Sequence, residues 1–206
     1  MKRNLFTCAL GALLAGLILS GCAASPKITK LNRVWKYDMY TGGYPDQVMV
    51  VAKTKRTDSR GPLEDHMSGL LAKYNITAIP SYTVIPNINL LERERVKQVA
   101  IDKGVNAVLA TKVVDIDEEE VIFNSQSYDR VHTRYGMYMR PTMPSGPQVE
   151  RITKVRVETG LFELKTEELI WAATSSVMDP DTVDEAIKDY SAAIIQQLVK
   201  DGYLKK

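Results

Sequence analysis

Cysteine and histidine are scarce, with two of each among 206 residues. That excludes a disulfide-stapled scaffold and leaves too few soft ligands for a multi-residue zinc site. Aromatic residues are limited to 3 Phe, 2 Trp and 10 Tyr. Neither sign of charge dominates, since 27 Lys+Arg stand against 25 Asp+Glu for a formal +2. Nucleic-acid binding leaves a clustered basic footprint, and so small a balance argues against it. No apolar run reaches the ~20 residues of a comfortable helical bilayer span. H-E-x-x-H, G-x-S-x-G and P-loop patterns are all missing. What remains is 45% hydrophobic and 25% charged, a balance that fits one folded domain rather than disorder.

The amino terminus is more specific. Lys2 and Arg3 precede residues 5–19, which are apolar apart from Thr7 and small residues. These fifteen positions are short for a span and fit the h-region of a secretory signal. The run closes on Leu19-Ser20-Gly21-Cys22. This order resembles the bacterial lipobox: a branched aliphatic, two small residues, then the lipid-accepting cysteine. The resemblance implies diacylglyceryl transfer to the Cys22 thiol, cleavage between Gly21 and Cys22, and acylation of the new amino terminus by a palmitate-type chain. Small side chains give a peptidase access to the backbone, and a thiolate is the soft nucleophile that alkylation needs. The competing reading is an ordinary secretory signal with an incidental cysteine. Ala23 stands where an inner-membrane retention signal often has Asp, which by analogy favours the periplasmic face of a Gram-negative outer membrane. Acyl chains contributing ~0.8 kcal/mol per buried CH2 would make that anchorage permanent. Cleavage removes Lys2, Arg3 and Cys8, so the 25 acidic residues become matched by as many basic ones. The folded part then holds no cysteine and must be stable without a disulfide.

Beyond the signal, residues 22–45 read as a lipidated tether and lead-in segment, and residues 46–206 as a single periplasmic domain. Val48-Met49-Val50-Val51 is a short apolar run suited to a strand buried on both faces. Pro62 suits a first helical turn, and Leu63, Met67, Leu70, Leu71 and Tyr74 recur at helical spacing up to Asn75. A second short strand over residues 76–79 ends at Pro80. Asn89 with Glu92 forms a candidate cap, Val96, Val99 and Ala100 share a face, and Gly104 is a stop. A third strand covers 105–114. Val155, Val157, Thr159 and Leu161 alternate with polar residues, and residues 169–174 return as the hairpin partner carrying Trp171, which should fill the core with its indole N–H bonded. Thr182 with Glu185 is a capping box before a helix that stops at Gly202. The expected fold class is α/β (α+β): a mixed sheet with a β-α-β-α-β start, antiparallel hairpins and a C-terminal helix packed on it.

Three stretches carry a family resemblance: Ser59-Arg60-Gly61-Pro62-Leu63-Glu64-Asp65, then Ala78-Ile79-Pro80-Ser81-Tyr82 with Gly104-Val105-Asn106-Ala107-Val108-Leu109, then the hairpin from Val157 to Trp171. Together they resemble small Gram-negative lipoproteins of a domain-of-unknown-function type, distantly similar to the amino-terminal domain of TolB and to the curli-secretion lipoprotein CsgG. The resemblance spans roughly residues 46–204 and implies a fold and a location, with no defined activity. Residues 115–158 offer no two alternating stretches of the ~9–11 residues that transmembrane strands need, which argues against a pore.

No catalytic set, metal site or cofactor is expected. His66 reads as a helix-surface residue and His132 as part of an irregular segment. The acidic run at residues 115–120 lacks the glycine turn of a calcium loop and reads as a solvated strand end facing Arg130, Arg134 and Arg140. Arg60 and Glu64 are candidates for a helix-entry ion pair, and their blander reading is a solvent-exposed helix start. Residues 124–149 have no period and read as a loop of about 25 residues, far longer than usual hairpin connections. This loop has Tyr, Met and Arg, the types enriched in interface cores, and no Lys. Tyr128, Arg134, Tyr135, Tyr138, Met139 and Arg140 are the candidate partner-binding residues, for a periplasmic protein or a second copy of the chain. The functional expectation is a non-enzymatic membrane-anchored lipoprotein acting by protein–protein interaction. Its alternatives are an oligomeric accessory of secretion or peptidoglycan assembly, and a small-ligand binder or hydrolase using a cleft at strand ends.

Overall fold

A computed structural model describes residues 28–54, 56–123, 128–133, 136–141 and 148–205. Gly21, Cys22, Arg134 and Tyr135 lie outside the described residues. The elements in chain order are β1 (Thr29–Lys36), β2 (Gln47–Lys53), α1 (Arg60–Ala72), β3 (Thr77–Pro80), α2 (Arg93–Asp102) and β4 (Ala107–Phe123). They continue with β5 (Tyr128–Thr133), β6 (Gly136–Pro141), β7 (Gln148–Glu163), β8 (Leu169–Met178) and α3 (Val183–Asp201). Six strands form one sheet in the order β1-β8-β7-β4-β2-β3, and β5 pairs with β6 in a separate hairpin. β2 runs parallel to β3 and β4, and all other pairs are antiparallel. The architecture is the expected mixed sheet with a C-terminal helix on it.

Burial follows the sequence periods. Val48 to Ala52 of β2 are buried without interruption, as befits a strand covered on both faces. Leu63, Met67 and Leu71 bury one stripe of α1, and Asn75 ends that segment with φ 59°. In α3, Thr182 Oγ1 accepts from the Glu185 N–H at 3.1 Å, and Gly202 closes the helix in the left-handed region at φ 85°. The reciprocal arm is displaced by one residue, because the Glu185 carboxylate accepts from the Asp181 N–H. α2 begins later than the Asn89 cap suggests: Asn87 accepts from the Asn89 N–H, a 3-10 turn follows at Ile88–Leu90, and the helix starts at Arg93.

α1 and α3 pack side by side on one sheet face around Trp171, Leu161 and Val50. On the other face α2 joins a second core with Met49, Val51 and Val108, which reaches Phe162 at the end of β7 and includes no residue of β8 or β1. Buried in the first core, the Tyr190 hydroxyl bonds Thr159 Oγ1 and lies 3.3 Å from Thr111 Oγ1. Burial pushes this phenol up to about 12. Between pH 10 and 12 the unfolded chain has released the proton that the fold retains, so stability present below pH 10 falls by ~1.4 kcal/mol per unit, nearly 3 kcal/mol in all. Urea midpoints taken from pH 9 to 11.5 should therefore fall less steeply for Tyr190→Phe than for the parent chain.

Three features depart from expectation. Residues 29–36, assigned by sequence to the tether and lead-in segment, form edge strand β1 paired along β8. β4 and β7 run through the acidic segment as strands of 17 and 16 residues. The expected loop over 124–149 loses only Gln148 and Val149 to β7, and it contains the β5–β6 hairpin.

Candidate functional site

Arg60 and Glu64 are not at solvent. They are 3% and 0% exposed and lie where β2 and β3 end. Glu64 Oε1 accepts from the Ala52 N–H at 2.9 Å, Arg60 Nε at 3.0 Å and Ser81 Oγ at 2.8 Å, while Oε2 accepts from the Tyr82 N–H at 2.8 Å. Arg60 also donates to the Pro86 carbonyl and to Ser81 Oγ. The i, i+4 spacing on α1 brings the pair together, and the turn at Ser81–Thr83 roofs it. Both Glu64 oxygens are occupied by protein donors, so the cluster braces α1 against the parallel strands rather than presenting a reactive group.

The acidic run has partners other than those expected. Arg156 on β7 bonds Asp115 and lies 3.2 Å from Asp117, and the register places Lys154 beside Asp117 and Arg151 beside Glu120. The Arg156 guanidinium holds the Asp115 carboxyl below the usual carboxylate range. Arg130 and Arg140 belong to the β5–β6 hairpin, opposite Met139 and Asp129. In the backbone ladder the acidic run pairs with β7 and not with this hairpin, and Arg134 lies outside the described residues.

The β4–β7 pair also continues past its neighbours. β2 accompanies β4 only to Lys112, and β8 accompanies β7 only from Lys154 onward. Residues from Glu118 to Phe123 pair with the stretch of β7 that β8 does not reach, so among the described residues neither outer edge of the ribbon carries a further strand over six positions, roughly 20 Å. Asp115 and Asp117 alternate onto one face, Ile116 and Glu118 onto the other. Strand length sufficient to cross a bilayer is present, but a continuous apolar face is not. Among the described residues no helix is long and apolar enough to cross a membrane. Of the candidate partner residues, Tyr128 falls on β5 and Tyr138, Met139 and Arg140 fall on β6. Tyr128 is registered opposite Pro141 and Tyr138 opposite Val131.

The sheet face that α2 leaves open forms a groove of about 840 Å³ over β7, β8 and β1. Three transverse rows make its floor. Arg33, Thr174, Glu158, Lys112 and Lys53 are successive register partners across five strands. The next row is Trp35, Ala172, Gly160, Ala110 and Val51, and the third contains Leu169, Phe162 and Val108. Val96 and Leu91 contribute the α2 side. At that side Lys97 and Arg93 meet Glu167 of the β7–β8 turn at 2.6 and 3.5 Å, and the Lys97 ammonium lowers the Glu167 carboxyl. Trp35 is 46% exposed and stacks on Tyr37 with centroids 6.4 Å apart. The ionisable groups of the first row are exposed. Sequence reasoning missed this groove because its rows join residues of five strands. The available local signal was the run of small residues Gly160, Ala172 and Ala110 at the centres of strands.

No protein-family model matches the sequence, and no curated protein matches it. The chain is distantly similar in structure to PelC from Paraburkholderia phytofirmans, solved as a dodecamer, with a TM-score of 0.46 and 13% identity over 81% of this chain and 96% of that one. It is also similar to the lipoprotein GNA1162 from Neisseria meningitidis, with a TM-score of 0.43 and 12% identity over 76% of this chain and 99% of that one.

Proposed function

We propose that the chain is a lipid-anchored lipoprotein of the Gram-negative envelope, held by lipid on Cys22 at the periplasmic face of the outer membrane, that acts without catalysis by docking a protein partner. The observation that supports this reading is the ribbon of β4 and β7. Unpaired strand edges are templates for a further strand, and main-chain hydrogen bonds supply affinity in such strand addition. The β5–β6 hairpin, whose β6 carries Tyr138, Met139 and Arg140, is the segment of chain between the two strands of the ribbon. The kinship with TolB and CsgG read from the sequence belongs to the same proposal.

In cells, a photo-crosslinker at Tyr138 should capture one discrete protein, at twice the chain's own mass if the partner is a second copy. Deleting residues 128–147 should abolish capture by a crosslinker at Ile116 while leaving the melting temperature within a few degrees. Unchanged capture by the shortened chain would refute the part given to the hairpin, and no capture from either position in the intact chain would refute the docking role. Cys22→Ala should abolish acyl labelling and leave unprocessed precursor. Normal processing of that variant would remove the anchor from the proposal without touching the docking test.

A further inference from the structure

We propose that the groove over β7, β8 and β1 is a binding site for an amphipathic anion: an apolar body of acyl-chain or ring character that ends in one carboxylate or phosphate. This site is separate from the ribbon and does not depend on it.

The floor explains the apolar part. Ala172, Gly160 and Ala110 occupy adjacent positions on β8, β7 and β4, where strand interiors usually have larger side chains. Their small size leaves the hollow between Trp35 and Phe162. Gly160 also lets the Leu169 and Phe162 side chains lie down on the floor at one end of the hollow, because a Cβ there would stand 2.9 Å from both Leu169 Cδ1 and Phe162 Cε2. The volume of about 840 Å³ falls within the ~300–1,000 Å³ of small-molecule sites.

Charge explains the anionic end. Lys53 and Lys112 are neighbours on parallel strands, and like charges at facing positions repel. Neither forms an ion pair among the described residues, nor does Arg33 in the same row. Glu158 is the one carboxylate in that row, so it carries two uncompensated positive charges. At the far end Arg93 and Lys97 already meet Glu167. Attraction for an anion is therefore concentrated at one end of an apolar trough. Two residues of strand separate successive rows, so the two apolar rows lie about 7 and 14 Å from the charged one.

The backbone argues against a peptide occupant. β7 and β8 are interior strands whose main-chain groups are consumed by the sheet. An extended peptide on this floor would bury its own N–H and C=O groups against Ala and Gly without partners, at a cost of a few kcal/mol per group. A hydrocarbon body has no such groups to satisfy.

The test uses the full chain expressed in its own envelope with p-benzoylphenylalanine at Trp35. After irradiation, intact mass should show an adduct of lipid size. The mass of a free fatty acid or of a whole phospholipid identifies the source. In the Lys53→Glu/Lys112→Glu variant the adduct should fall by about tenfold or more, as loss of charge-assisted contacts implies. Lys188→Glu on α3, outside the groove, should leave it unchanged. Ala172→Phe, which fills the floor, should abolish it in a chain that still melts cooperatively. Adducts with protein alone, no adduct, or equal lipid adduct in the charge-reversed chain would each overturn the proposal.

Discussion

Glu64→Ala should lower the melting temperature by roughly 6–20 °C. Removing one partner of a buried ion pair costs about 3–5 kcal/mol, and a domain of this size shifts by ~2–4 °C per kcal/mol. The physical cause is specific. Without the carboxylate, the Arg60 guanidinium stays enclosed at the end of β2 with only the Pro86 carbonyl and Ser81 Oγ as acceptors. The Ala52 and Tyr82 N–H groups lose their acceptor at the same time. The double variant Arg60→Met/Glu64→Gln should be the more stable of the two. It removes the orphaned charge, keeps an acceptor near Ala52, and replaces the guanidinium with an apolar side chain of similar reach. Urea denaturation of both variants decides the matter. A single variant within 1 kcal/mol of the parent, or a double variant worse than the single, would mean that the pair is not buried as described.

Trp171→Ala should cost about 3–5 kcal/mol, the usual range for truncating a fully buried aromatic. Trp171 is 0% exposed at the centre of the larger core, and its Nε1–H donates to Asp201 Oδ2 at 2.9 Å. Asp201 would keep Gln197 Nε2 at 2.9 Å and Lys36 Nζ at 3.7 Å, so most of the loss comes from the cavity rather than from the carboxylate. Asp201→Ala is accordingly the milder change, near 1–2 kcal/mol for a charged acceptor lost at the core margin. Fluorescence gives an independent readout. With Trp35→Phe, emission comes from Trp171 alone and should shift to the red on unfolding. With Trp171→Ala, emission from half-exposed Trp35 should barely move. An unmoved Trp171 signal would contradict its place in the core.

These two residues also mark where sequence reading succeeds and stops. Trp171 was legible because residues 169–174 read as the hairpin partner of the alternating strand at 155–161, and a large aromatic there has few places to go other than the core. The pairing of Arg60 with Glu64 was legible from i, i+4 spacing, but its burial was not. Burial depends on the Ser81 turn and on Ala52 near the end of β2 closing over α1, and these residues are 21 and 8 positions away from Arg60. β1 escaped notice because an edge strand exposes one edge and one face, so its charged residues Lys30, Arg33 and Lys36 read as a tether. The acidic run read as a solvated strand end, where the structure continues the strand through it, for a similar reason. Its strand conformation requires Arg156 and Lys154 opposite it, about forty residues later.

The sequence by itself determined the local terms: the signal-like amino terminus with Cys22, the capped and periodic helices, the buried strands and the mixed sheet class. Each of these is specified by residues within a few positions of one another, through rotamer and backbone preferences and hydrophobic period. Only the tertiary structure decided which face α2 leaves uncovered, how far β4 and β7 outrun their neighbours, and that Arg33, Lys112 and Lys53 share one row across the sheet. Those outcomes are set by strand order and register, which long-range pairing fixes and no short stretch of sequence contains.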